Sequence, residues 1–243
     1  MDKKHALLLA FLITILAVGN YLFFKGSSPE LEKVIIGRVL DGDTVELEDG
    51  RIIRLLNINT PEKGYAFSNE AKNFLEIFKN RSVELESAGI EKYGRTLGRI
   101  YSDKYLNLEI VRLGLAHPYI VDESEVEDFE IAQEEAKKNE RGIWKKSEFY
   151  GCLEVEINKN DEYVEIMDSC GLEFKGWTLK DESTKSYKMD KIKTREFRIY
   201  SEKGDNKGDE FYWGRGTAWN DDKDAIFIRD SKGLLAYYYR YGY

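Results

Sequence analysis

Histidine and cysteine are almost absent from this sequence, at two residues each. A zinc site needs three or four such ligands converging, so His-rich and Cys-cluster centres are excluded. Proline is nearly as scarce, at three residues, and no internal repeat or low-complexity tract interrupts the chain. A broad positive surface is missing too: 37 basic residues stand against 45 acidic ones, a net charge of −8. That balance argues against gripping a polyanion over a wide face, which depends on counterion release at many phosphate contacts. Attraction to nucleic acid would have to be local, through a metal ion and a few arginines. Aromatics, by contrast, are plentiful: 16 Tyr, 12 Phe and 4 Trp in 243 residues can fill one large core or two ordinary ones.

Residues 6–24 read ALLLAFLITILAVGNYLFF, without a charge. At about 1.5 Å per residue this makes roughly 29 Å of helix, close to the hydrocarbon thickness of a bilayer. Lys3 and Lys4 precede the run and only Lys25 follows it. The positive-inside bias therefore leaves the short N-terminus in the cytoplasm and sends the main body across. The alternative is a cleaved signal peptide. The run is long for one, and YLFFKGSS puts bulky residues where a peptidase needs small ones. Either reading places residues 31–243 outside the cytoplasm: tethered to the cell membrane in the first case, secreted in the second.

Residues 25–32 (KGSSPELE) form a polar linker. The strand-like runs VIIGRVL, TVEL and RIIRLL follow, separated by the turn signals DGD and EDG. A helix is expected with Ala71, Phe74, Leu75 and Phe78 on one face, then strands SVELES and TLGRIYS. A second helix near Leu106 to Leu113 is stopped by Gly114. A third opens at Ser124, where Ser124 and Glu127 have capping-box spacing, with Val126, Phe129, Ala132 and Ala136 inward. Five strands with helices fit a small β-barrel with helical cover. After about residue 150 the texture is strands alone: CLEVEIN, EYVEIMD, GWTLKD, REFRIYS, DAIFIRD and LLAYYYRY. These predict an all-β sandwich. The expected organisation is thus anchor and linker over 1–30, barrel domain over 31–149 and β-sandwich domain over 150–243.

Three clusters in the barrel carry chemistry: Asp41-Gly42-Asp43-Thr44-Val45, then Arg54-Leu55 through Asn59-Thr60-Pro61-Glu62, then Lys92-Tyr93-Gly94-Arg95. Each alone reads equally well as a hairpin turn or helix start. Together, in this order and on these strands, they resemble the staphylococcal nuclease (thermonuclease) family. Val111-Arg112-Leu113-Gly114-Leu115-Ala116 extends the likeness, which covers roughly residues 34–144. The resemblance implies an OB-fold barrel and a calcium-dependent (Ca2+) endonuclease, a hydrolase of phosphodiester bonds in DNA or RNA with little sequence preference. Guanidinium groups suit that chemistry, because each can meet charge on phosphoryl oxygens with two parallel hydrogen bonds.

The resemblance assigns Arg54 and Arg95 to the phosphate and Glu62 to general-base catalysis on water. It assigns Asp43, the residue at Asn59 and the backbone carbonyl of Thr60 to calcium. Asp41 would shape the local charge without ligating, and Tyr93 and Tyr119 would contact nucleotides. One departure stands out: the family's second carboxylate ligand is Asn59 here. Its amide keeps an oxygen but loses a charge, so calcium binding is expected to be weaker, on the order of tenfold. An extracellular site, bathed in calcium, tolerates that.

Gly176-Trp177, Tyr212-Trp213-Gly214-Arg215-Gly216 and Trp219-Asn220 stand at successive strand starts and turns. They resemble the lamin-tail domain, an immunoglobulin-like sandwich. Trp177 and Trp213 read as core. Asp221, Asp222 and Asp224 lack the glycine and closing glutamate of a calcium loop and read as a solvated turn. Cys152 and Cys170 form either a disulfide, worth about 3 kcal/mol in the chain-entropy model, or two free thiols. The tail YYYRYGY reads as an edge strand with exposed tyrosines. Three functions compete: a membrane-tethered extracellular nuclease, a catalytically weakened nucleic-acid-binding or surface-tethering protein, and a scaffold acting through the sandwich on an unknown partner.

Overall fold

The computed structural model describes Thr14 and residues 31–183, 185–190 and 192–242. The expected membrane run lies outside them, Thr14 apart. Among the described residues no helix is long and apolar enough to cross a membrane.

Strands β1 (Leu31–Val39), β2 (Thr44–Leu47) and β3 (Ile52–Leu55) form a meander, and β4 (Ile58–Asn59) follows. Helix α1 (Ser68–Glu76) precedes β5 (Ser82–Ile90) and β6 (Thr96–Tyr101). Then come α2 (Leu106–Arg112), β7 (His117–Pro118) and α3 (Val126–Lys138). The barrel closes in the order β1-β2-β3-β6-β5, an OB-like arrangement with no free edge. Alternation drives closure: Val34, Ile36, Val45, Leu47, Ile53, Leu55, Val83 and Leu85 point inward and are buried. Helices α1 and α3 cap this core through Ala71, Leu75, Phe129 and Ala132. The pairing of β3 with β6 is parallel, with Arg54 opposite Leu97, so the ends bearing Arg54 and Arg95 are neighbours.

Arg99, only 9% exposed, pins the rim of the barrel. It donates from Nη1 to Glu86 at 3.1 Å, from Nε to Glu125 at 2.9 Å, and pairs with Asp122. Asn57, in left-handed conformation at φ 65°, reaches the same loop through Glu125 and the Asp122 amide. These bonds explain two departures from sequence expectation. Glu123–Glu125 is a 3₁₀ turn, and α3 begins at Val126 with no side-chain cap, so the Ser124–Glu127 capping box does not form. Val126 is 39% exposed; Gln133 joins Phe129, Ala132 and Ala136 on the buried face instead.

Beyond the barrel run β8 (Leu153–Asn158), β9 (Tyr163–Asp168), β10 (Thr178–Lys180), β11 (Ser186–Lys188), β12 (Glu196–Tyr200), β13 (Glu210–Tyr212), β14 (Asp224–Arg229) and β15 (Leu235–Tyr241). They form two four-stranded sheets, β11-β10-β14-β15 and β13-β12-β9-β8. Both contribute to one core around Phe174, Trp177, Phe197 and Ile226, with Trp213 packed against it. Cys152 and Cys170 are joined by a disulfide, with Cα atoms 5.5 Å apart. Asp224 is not solvated: it is fully buried and accepts from the Asn220 and Ala225 amides at 3.1 and 2.8 Å.

A third apolar cluster joins barrel to sandwich: Ala136, Ile143 and Trp144 against Ala225, Phe227 and Leu235, with Phe67 and Tyr238 at its edge. Tyr238, read from sequence as exposed, stacks edge-on to Trp144 at 5.1 Å. Ser147 N–H donates to Leu235 at 2.8 Å, and Leu235 N–H to Lys145 at 2.9 Å.

Breaking the Arg99 cluster removes the cation shared by Glu86, Glu125 and Asp122. Tyr101 and Asn57 still donate to the first two and Asp122 is half exposed, so the loss is about 2 kcal/mol. Arg99→Met should lower the unfolding free energy by about that much in urea denaturation; an unchanged midpoint would remove the cluster from the barrel's support.

Candidate active site

The three motif clusters converge on one cleft of about 970 Å³ at the barrel rim. Asp41 and Asp43 reach it from the β1–β2 turn, Arg54 from β3, and Asn59, Thr60 and Glu62 from β4 and the loop after it. Tyr93 and Arg95 come from the β5–β6 hairpin, and Tyr119 follows β7. All nine residues singled out in the barrel therefore line a single cavity.

Asp43 is its anchor, 7% exposed. One carboxylate oxygen accepts from Thr60 N–H at 3.0 Å and from Thr60 Oγ1 at 2.9 Å. The other lies 3.2 Å from Arg54 Nε and accepts from Thr44 Oγ1 at 3.1 Å. Burial raises the carboxyl above its ordinary value, while Arg54 and the Thr60 bonds oppose that rise. Asp41, exposed, accepts from the Asp43 amide at 3.1 Å and so orders the turn. Gly42 makes the turn possible: a Cβ there would stand 2.6 Å from Ala71 Cβ and 2.8 Å from Thr60 Oγ1.

Arg54 is held at both ends. Nη1 donates to Leu55 O at 2.5 Å and Nη2 to Ile58 O at 2.9 Å. With Nε toward Asp43, these bonds occupy three of its five N–H groups and leave two for a ligand. Arg95 follows Gly94, whose φ of +81° fits the turn to glycine, and pairs through Nε with Glu91. That hydrogen bond raises Arg95 and lowers Glu91 from their ordinary values. Sequence reasoning missed Glu91; its position four residues before Arg95 across a hairpin was the available signal. Lys72 was missed too, and lines the same cleft with its ammonium 3.3 Å from Leu40 O. Glu62 is exposed on the loop, and Tyr93 and Tyr119 are 72% and 39% exposed at the rim.

Calcium, which the resemblance implies, prefers hard oxygen donors. The cleft meets that requirement in kind, because Asp43, Asn59 and Thr60, all oxygen donors, line it. It is poor in charge: among the described residues no three His, Cys, Asp or Glu side chains are grouped to hold a metal. The set thus fits a hard cation held with modest affinity.

Residues 52–146 match the family described as staphylococcal nuclease homologue. An uncharacterized endonuclease of Escherichia coli O157:H7 is 33% identical over 113 residues, covering 44% of this chain and 73% of that protein. Endonuclease YhcR of Bacillus subtilis (strain 168) is 30% identical over 139 residues, 47% of this chain but only 11% of that far longer protein. A micrococcal nuclease of Shigella flexneri is 27% identical over 151 residues, 56% of this chain and 82% of that protein.

Restoring the missing carboxylate tests the donor set. Asn59→Asp should tighten calcium binding about tenfold in isothermal titration; identical affinities would take Asn59 out of it.

Proposed function

The chain belongs to the staphylococcal nuclease homologue family, and on that premise we propose that its barrel is a calcium-dependent nuclease held outside a cell membrane. The family membership makes the barrel a nuclease-type hydrolase; calcium, tether and location are this reading's own. The observation that carries it is the single cleft in which two arginines, two aspartates and an exposed glutamate meet.

The two free N–H groups of Arg54 and those of Arg95 not spent on Glu91 donate to the non-bridging oxygens of a phosphodiester. They act most strongly as charge builds there in the transition state. Glu62 accepts a proton from the water whose oxygen attacks phosphorus. The P–O bond opposite then breaks, and the leaving oxygen takes a proton from solvent. Asp43, Asn59 and the Thr60 carbonyl would hold the calcium ion, which when bound supplies a positive charge against the phosphate. Tyr93 and Tyr119 offer ring faces at the rim, which bind bases by stacking without reading sequence. Low sequence preference on DNA or RNA follows.

The run at residues 6–24 supports a tethered, extracellular body, where abundant calcium offsets the charge lost at Asn59. The disulfide suits an oxidising compartment. The two sheets around one core support the lamin-tail likeness of the sandwich, whose partner is open.

The test is degradation of single-stranded DNA in calcium against chelator. Activity should require calcium and fall at least a hundredfold in Glu62→Gln and in Arg95→Ala. Equal DNA binding with either additive and no cleavage would favour a binding protein; full activity in either variant would overturn the roles.

A further inference from the structure

A second cavity, of about 510 Å³, lies between the barrel and the sandwich. It shares a wall with the catalytic cleft, because Asn59, Thr60, Pro61 and Glu62 line both. Its far wall belongs to the sandwich. Lys180 of β10, Lys188 of β11, Arg229 of β14 and Lys232 of the β14–β15 turn all face it. Two carboxylates line it too, Glu62 and Asp230. Asp230 is engaged within the protein, accepting from Ser147 Oγ at 2.6 Å and from the Lys232 and Leu234 amides at 2.8 and 2.9 Å. In a chain of net charge −8, four cations around one cavity are a local reversal of sign.

Lys180 and Arg229 are half-buried, and neither has a carboxylate within ion-pair distance among the described residues. Lys180 donates to the Asp181 carbonyl at 3.1 Å, and Arg229 to the Ile143 carbonyl at 2.6 Å. Carbonyls and the Phe227 ring, 5.7 Å from Lys180 Nζ and 6.0 Å from the Arg229 guanidinium, compensate these desolvated cations poorly. Burial accordingly pulls Lys180 down to about 8 and Arg229 to about 10. Beside them His117 is kept neutral by burial and these cations, its ring packed 4.6 Å from Phe227. The sandwich also abuts the catalytic loop directly: a Cβ on Gly233 would stand 2.2 Å from Ala66 Cβ.

We propose that this cavity is a second phosphate site, in which the sandwich holds the substrate strand one or more phosphates beyond the scissile one. The strand crosses the shared wall at Pro61–Glu62, with the scissile phosphate between Arg54 and Arg95. A following phosphate lies among Lys180, Lys188 and Arg229. The sandwich is thereby part of the substrate groove. This inference rests on the nuclease reading above.

The test uses the full-length chain, a fluorescein-labelled twelve-residue oligothymidylate and the thymidine dinucleotide with one phosphodiester. Two variants are compared with wild type: Lys180→Met, and Lys188→Glu at an exposed position that folding tolerates. In chelator, oligothymidylate affinity by anisotropy should fall about tenfold in both, with the log–log salt slope flatter by about 0.7 for each phosphate no longer neutralised. In calcium, KM for the twelve-residue strand should rise by a similar factor while kcat/KM for the dinucleotide stays within about twofold. Unchanged strand affinity in both variants would overturn the proposal, as would equal losses on the two substrates. If wild type cleaves nothing, the nuclease reading fails, and the binding measurement still decides this one.

Discussion

Asp43 is the side chain that ties the first two motif clusters of the barrel into one site. Its carboxylate spans three segments: its own turn between β1 and β2, the end of β3 through Arg54, and the loop after β4 through Thr60. Without it, Thr60 would lose the acceptor for both its amide and its hydroxyl, and Arg54 its only ion pair among the described residues. The arrangement costs desolvation, visible in the raised carboxyl. That cost is opposed by four donors: Arg54 Nε, Thr44 Oγ1 and the amide and hydroxyl of Thr60. Gly42 belongs to the same constraint, because only a hydrogen fits between α1 and Thr60.

The loop that carries Glu62 is therefore gripped from two directions. Asp43 holds its start at Thr60, and the sandwich covers its end, where Gly233 meets Ala66 and Phe67 enters the cluster around Trp144. The residue between, Glu62, stays exposed on a short span whose Glu62 carbonyl accepts from Tyr65 N–H at 3.0 Å. The general base proposed at Glu62 must be reachable by water and still be placed, and a short loop fixed at both ends meets both needs. The sandwich, on this view, serves the same chemistry as the barrel.

Much of this was legible in the sequence, for identifiable reasons. The barrel strands alternate and are punctuated by DGD and EDG, and the site residues sit beside those punctuations, where strands end. What escaped was set by tertiary contacts. Strands β11 and β13 have three residues each, too short for a period to show. The capping box at Ser124 gave way because Glu125 and Asp122 are drawn to Arg99 from across the barrel. Tyr238 carried no sign that Trp144 would meet it, and Lys180 and Arg229, over a hundred residues from Glu62, share its cavity only through the docking of the two units.

Asp43 is proposed to serve the reaction as well as the fold, and Asp43→Asn tests this with the side-chain outline kept. Because its NH2 replaces one accepting oxygen, the fold must be checked alongside. The measurement is the rate of single-stranded DNA cleavage in saturating calcium, with near- and far-ultraviolet circular dichroism as the control for fold. The account predicts a loss of about a hundredfold with native-like spectra. Cleavage at the wild-type rate would contradict it.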